Sequence, residues 1–385
     1  MSYFDNNATC PLYPIARESL VSALDEAWQN PSSPYRRSAR VYALLEAARE
    51  KMAGALKCDA QEIIFNSGAT EGNNAVFAWA KTLSDEDSCV LVSRTEHPSV
   101  IESAKASFGT KIIWLEVDEN GVVSCEQLEK LLREQKVSLV AIMAANNETG
   151  VVAPVKEIGS LCRSFGVKWL CDATQWIGEL SATELPAADF LVGSAHKFGG
   201  PKGVGFLRLS SSVGDFHSAR GGEQEEGRRG GTSNYPAIAA MCDVLSFLDQ
   251  NELAEVNSRV AWREAFEERL LKTIPGLVIN SSEATRLWNT VSLRMPSQEN
   301  TRWLRKLDKE GFEVSTGSAC STGSEEPSHV LSAQGLMAEV ARRTIRISSG
   351  WLTTEGEWVA LADAIEKIWH GFSGDGGDAF HIISV

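Results

Sequence analysis

The sequence predicts an α/β protein: a large domain with a mainly parallel seven-stranded sheet flanked by helices, plus a smaller α+β C-terminal domain. Three observations carry this reading. Apolar runs rich in β-branched residues alternate with amphipathic stretches from about residue 15 to 245. The texture changes after about residue 250 to shorter strands and helices. At 385 residues, the chain is also longer than a single core usually supports.

The predicted strands, in order, are Glu62–Asn66, Cys89–Ser93, Lys111–Val117, Ser138–Ala144, Val167–Cys171, Asp189–Gly193 and Gly203–Leu209. Stretches such as "SVIESAKASF", "CEQLEKLLREQ" and "VKEIGSLCRSFG" lie between them and repeat apolar residues at helical spacing. One or two long helices follow from "NYPAIAAMCDV" to "RLLKTI", and then come "LVIN", "NTVSLRM", "NTRWLRKLDKEG", "TIRIS" and "EGEWVALADAIEKIWHGF". The expected division is 15–248 for the large domain, and 1–14 with 249–385 for the smaller one. The last residues, "SGDGGDAFHIISV", read as a loosely held tail.

A formal charge of −14 argues against non-specific binding to nucleic acid or to an anionic membrane surface. There is no signal-peptide pattern and no run of about 18 apolar residues, so the expectation is a cytoplasmic protein with no membrane segment. The eight cysteines are dispersed, with no CxxC pair and no ligand spacing, which speaks against a metal site or a disulfide framework.

In an open parallel sheet, ligands bind beyond the carboxyl ends of the strands, so the residues after each strand matter most. "SGATEGNN" follows the first and can cup a phosphate at a helix N-terminus or simply cap a helix. His97 follows the second, just ahead of a helix, where structural and functional roles are both open. Asn146 and Asn147 follow the fourth in a segment that also suits a plain turn. Asp172 and Gln175 follow the fifth, where the acid could cap a helix. Ser194, His196 and Lys197 follow the sixth, and packing alone does not explain three such residues together. A Schiff-base lysine, a carboxylate for a ring nitrogen and a phosphate cup are together what pyridoxal 5'-phosphate requires.

In the family's order, "YFDNNAT", "NPSS", "SGATEGNN", "EHPSV", "NNETGVV", "DATQ", "SAHKFGGPKGVGF", "GGEQEEGRRGGTSN", "STGSACS" and "RISSG" cover about nine tenths of the chain. With them the sequence resembles the cysteine desulfurases of the class V aminotransferase group, fold type I pyridoxal-phosphate enzymes. The likeness is strongest to the branch serving iron–sulfur clusters and tRNA thiolation. The resemblance implies that Lys197 holds the cofactor as a Schiff base, His97 stacks on its ring, Asp172 pairs with the ring nitrogen and Gln175 bonds the phenolic oxygen. It implies a phosphate site of Ala69, Thr70, Ser194 and His196, with Thr232 reaching the partner's phosphate across a homodimer. Asn147 would sit by the ring and the substrate carboxylate, and Arg346 would clamp that carboxylate.

The resemblance makes Cys320, in "EVSTGSACSTGSEEP", the nucleophile that takes sulfur from L-cysteine as a persulfide, leaving alanine, and delivers it to an acceptor such as a cluster scaffold or thiolase. Serine, threonine and glycine around it suit a segment that moves between two stations. Tyr35, Ser38 and Trp351 depart from the family pattern at positions expected to border the entrance to the site. A selenocysteine lyase, another class V aminotransferase or lyase, and an inactive scaffold are the competing readings. "STGSACS" weighs against the aminotransferase, and the full catalytic set weighs against the scaffold.

Overall fold

Described in a computed structural model over residues 1–185, 188–251, 253–317 and 327–374, the chain opens with a short strand, β1 (Ser2–Tyr3), and two helices, α1 (Pro14–Glu26) and α2 (Arg36–Leu56). Strands and helices then alternate: β2 (Ile63–Asn66), α3 (Ala69–Leu83), β3 (Cys89–Ser93), α4 (Pro98–Phe108), β4 (Ile112–Leu115), α5 (Cys125–Glu134), β5 (Val137–Ala141), α6 (Val155–Phe165) and β6 (Lys168–Asp172). After them come β7 (Phe190–Ser194), β8 (Gly205–Leu209) and the long helices α7 (Tyr235–Asn251) and α8 (Val256–Thr273). Each predicted run forms a strand: β3 has the predicted bounds, β2, β4 and β8 are shorter, β6 and β7 sit one residue later, and β5 begins one residue earlier and ends three sooner.

The seven strands make one sheet in the order β2-β8-β7-β6-β5-β3-β4, and all neighbours are parallel except those of β8, which runs against both β2 and β7. β2, β3, β7 and β8 are buried along their whole length, as expected of strands covered on both faces. Period-two alternation sends Ile63, Phe65, Leu91 and Val140 into one apolar cluster, and Ile64, Val90, Val92 and Leu139 into another on the opposite face.

Local signals fix the helix ends. His97 caps α4, accepting from the Ser99 amide at 3.1 Å, and Pro98 takes the first helical position, where no amide donor is missed. Gly166, at φ 67°, ends α6 in the left-handed conformation that favours glycine.

The remaining elements are β9 (Val278–Ile279), β10 (Thr290–Arg294), α9 (Asn300–Lys309), β11 (Phe312–Glu313), α10 (His329–Ala333), α11 (Ala338–Ala341), β12 (Thr344–Ser348) and α12 (Glu355–Gly374). β12, β10 and β9 form an antiparallel sheet, and β1 pairs with β11. Phe4, Phe266, Trp303, Ile345, Trp358 and Ile365 belong to a third apolar cluster around these elements. Cys320 and the tail beyond 374 lie outside the described residues.

Candidate active site

Strand ends deliver the predicted residues to one edge of the sheet. Gly68 (φ 138°) turns the chain from β2 into α3, and the first amide of that helix, Ala69 N–H, donates to Ser194 Oγ at 2.8 Å at the end of β7. The approach leaves no room: a Cβ on Gly68 would lie 3.1 Å from Ser194 Oγ, and one on Gly205 would lie 2.6 Å from the Gly68 Cα. A helix start beside a serine hydroxyl makes an anion cradle, and Thr70 is exposed next to it.

Asp172, 5% exposed at the end of β6, has both oxygens oriented: Oδ1 accepts from the Thr174 amide and Oδ2 from Asn73 Nδ2, each at 3.0 Å. The same Asn73 nitrogen reaches Ser99 Oγ at 3.0 Å, which contacts His97 Nδ1 at 2.8 Å. Because Nδ1 also accepts from the Ser99 amide, this geometry assigns the imidazole proton to Nε2. Burial holds the His97 pKa below its ordinary value. Sequence reasoning had quoted Asn73 inside a motif without singling it out; its signal is a polar residue on a helix face that must pack against the sheet.

Glu96 is a buried acid that the sequence reading also passed over. Its Oε1 accepts from the Met143 amide at 2.6 Å, while Oε2 has no partner among the described residues. Burial and then the nearby Asp172 push its carboxyl well above the ordinary range. Both effects favour the protonated form of Glu96.

Lys197 follows β7, and its Nζ donates to the carbonyls of Asn7 and Ala8. Burial, followed by the Arg346 charge, pulls its pKa down to about 8. His196 contacts Thr9 Oγ1 at 3.2 Å, and burial pulls its pKa down to about 4, so it is neutral. Gln175 Nε2 donates to the Asn7 carbonyl at 2.9 Å.

The two adjacent asparagines separate cleanly. Asn146 builds its own turn, accepting from the Glu148 and Thr149 amides at 2.9 and 3.0 Å, whereas the half-buried Asn147 lends its carbonyl to Arg346 at 2.9 Å. Arg346, 1% exposed on β12, also donates to the Gly317 carbonyl at 3.0 Å and to Asp5 Oδ1 at 2.6 Å. Its Nε has no partner among the described residues.

Both ends of the segment carrying Cys320 are tied beside these groups. Gly317 is held by Arg346, Ser328 donates to Glu148 Oε2, and His329 Nε2 bonds the Glu96 carbonyl at 2.9 Å. Thr232 is exposed in a loop that Glu225 anchors to β2 by accepting from Arg49 and from the Phe65 amide at 3.1 Å, and it lines a cleft with Asn66 and Ser67. Trp351 does not face the entrance. It is buried against Trp288, with ring centroids 4.5 Å apart, and its indole donates to the Gly178 carbonyl at 2.8 Å. Ser38 is fully buried in α2, while Tyr35 is exposed at the start of that helix.

An amine of lowered pKa, a doubly oriented carboxylate and a glycine-walled anion cradle along one sheet edge define an α/β enzyme of the pyridoxal-phosphate type. The residues fit that cofactor: the donors suit a phosphate, and Asp172 suits a protonated ring nitrogen. The aminotransferase class-V family model matches residues 2–360. A cysteine desulfurase IscS of Dictyoglomus turgidum is 36% identical over 95% of this chain and 94% of its own. Among solved structures, a NifS-like protein superposes with a TM-score of 0.86 at 32% identity, covering 96% of this chain and 99% of its own. SspA in complex with cysteine superposes with a TM-score of 0.78 at 29% identity, covering 92% of this chain and all of its own. The chain belongs to the class-V aminotransferase family and, within it, to the cysteine desulfurases.

Proposed function

We propose that this protein converts L-cysteine to L-alanine with pyridoxal phosphate, captures the sulfur as a persulfide on Cys320 and passes it to an acceptor protein. The observation that carries the reading is that Lys197, Asp172 and His97 share one edge of the main sheet, with Arg346 of β12 bonded to the Asn147 carbonyl there, next to the tied ends of the segment that bears Cys320. SspA, a relative solved with cysteine, supports the substrate.

When bound, pyridoxal phosphate supplies an electron sink for bonds at the substrate Cα and Cβ. Lys197 anchors the cofactor and, with its lowered pKa, moves a proton at Cα. Asp172 holds the proton on the ring nitrogen, and Asn73 keeps that carboxylate in place. Arg346 gives a substrate carboxylate a planar pair of donors. The thiolate of Cys320 attacks the substrate sulfur; the carbon–sulfur bond breaks with its electron pair going to Cβ, and protonation there completes alanine.

Thr232 is assigned to the partner's phosphate in a homodimer. The exposure of Thr232, and of Tyr42, which lines a cleft with the adjacent Ser233, supports a second copy covering this face. The large domain at 15–248 and the smaller one at 1–14 with 249–385 belong to the same proposal, supported by the separate apolar cluster around β10 and β12. Seven described cysteines are free, which suits the cytoplasm. No described helix is long and apolar enough to cross a membrane.

Incubation with L-cysteine followed by mass spectrometry places a persulfide on Cys320. Cys320→Ala abolishes sulfide release in the presence of a reductant while keeping the cofactor spectrum. Unchanged turnover in that variant overturns the mechanism, and a monomer in sedimentation equilibrium overturns the dimer.

A further inference from the structure

A second cavity, of about 180 Å³, lies behind the N-terminal segment, and none of Lys197, Asp172, His97 or Arg346 lines it. Its walls include Tyr3, Tyr13, Phe198 and Trp351, with Cys10 and Glu179 also contributing. Glu179 is 3% exposed, and its Oε2 has no hydrogen-bond partner among the described residues. Burial alone lifts its pKa to about 8.

The chain holds this acid in place deliberately. The Trp288 indole donates to the Glu179 carbonyl at 3.0 Å, and the Trp351 indole fixes the preceding Gly178 carbonyl at 2.8 Å. Gly178 takes φ 87°, and a Cβ there would lie 2.3 Å from Phe198. The two tryptophans thus hold the backbone that carries Glu179, and a carboxyl oxygen buried at a cavity wall without a partner is costly, so the cavity calls for an occupant. Aromatic rings with the carboxylates of Glu179 and Glu357 around a small cavity are the chemistry that recognises an organic cation.

We propose that this cavity is a binding site for a small organic cation of the alkylammonium class, held by the Glu179 carboxylate within the aromatic wall. The site is separate from the cofactor cradle but mechanically close to it. Cys10 Sγ donates to the Lys197 carbonyl at 2.9 Å, and the Cys10 amide donates to that of His196 at 2.8 Å.

Other ionisable groups share the surroundings. Cys10, Tyr3 and Glu357 line the cavity, the Met1 amino group neighbours Glu357, and Arg259 backs it through the Trp351 and Thr353 carbonyls. Burial raises both the Cys10 thiol and the Tyr3 hydroxyl, which keeps them neutral in the working range. The Met1 amino group is a second ionisable group beside the cavity, so the Glu179 variant is needed to separate the two.

The test is calorimetric titration of the holoenzyme with tetramethylammonium chloride at constant ionic strength, with neopentyl alcohol as the uncharged counterpart. A quaternary ammonium cannot condense with an aldehyde, so the cofactor does not contribute a signal. Affinity rises about tenfold between about pH 7 and about pH 9 as Glu179 ionises. Glu179→Gln weakens binding about tenfold or more at the higher pH and flattens the pH response. Neopentyl alcohol shows no such dependence. No saturable binding in the wild-type chain overturns the site, as does an affinity that is independent of both pH and Glu179.

Discussion

Lys197 shows how one side chain is set for its work by its surroundings. Its ammonium is taken from water and placed near Arg346, and both effects favour the neutral amine. At a pKa of about 8, about a tenth of the amine is neutral at pH 7, whereas an ordinary lysine has only a few parts in ten thousand. Only the neutral amine adds to an aldehyde. Stopped-flow reconstitution of cofactor-stripped protein with pyridoxal phosphate therefore speeds up with rising pH and levels off above about 8. A midpoint near the ordinary lysine value of about 10.4 contradicts this account.

At the scale of elements, the site depends on how closely β2, β7, β8 and the start of α3 approach one another. A Cβ on Gly205 would meet the Gly193 carbonyl oxygen at 2.4 Å and the Gly68 Cα at 2.6 Å, and neither backbone atom can step aside. Gly205→Ala costs about 1–3 kcal/mol of stability and weakens pyridoxal phosphate binding, because Gly68 carries the Ala69 amide to Ser194. Gly54→Ala is the control, since nothing lies within 4 Å of its added Cβ. Thermal denaturation together with cofactor titration checks both; equal behaviour of the two variants refutes the close-approach argument. The strands themselves were legible because apolar β-branched runs have few alternatives, and strand-end polar residues had one edge to go to. The reversal of β8 was not legible, because a buried run reads the same in either direction. Asn73, Glu96 and Glu179 were equally hidden, since a buried polar group reveals its purpose only through the partners that the fold brings to it.

At the scale of the molecule, residues 2–10 lie between the main sheet and the smaller antiparallel one, and Asn7 is the point where both meet. Asn7 is 2% exposed; its Nδ2 donates to the Asn147 carbonyl at 3.1 Å and to Thr290 Oγ1 at 2.8 Å, and its Oδ1 accepts from Asn289 Nδ2 at 3.3 Å. Its amide donates to Ser348 Oγ at 3.0 Å, and its carbonyl accepts from Gln175 and Lys197. One residue thus links Asn147 and Lys197 of the main sheet's edge to β10 and β12, which present Arg346. Truncation removes three hydrogen bonds of this buried side chain at once, so Asn7→Ala costs about 2–4 kcal/mol. It also frees Arg346 and Asn147 to move relative to Lys197, so KM for L-cysteine rises even at temperatures where the variant is fully folded. Denaturant unfolding and steady-state kinetics on the same preparation separate the two effects. A loss of stability with unchanged KM would mean that Asn7 holds the two sheets together without setting the distance between the lysine and the arginine.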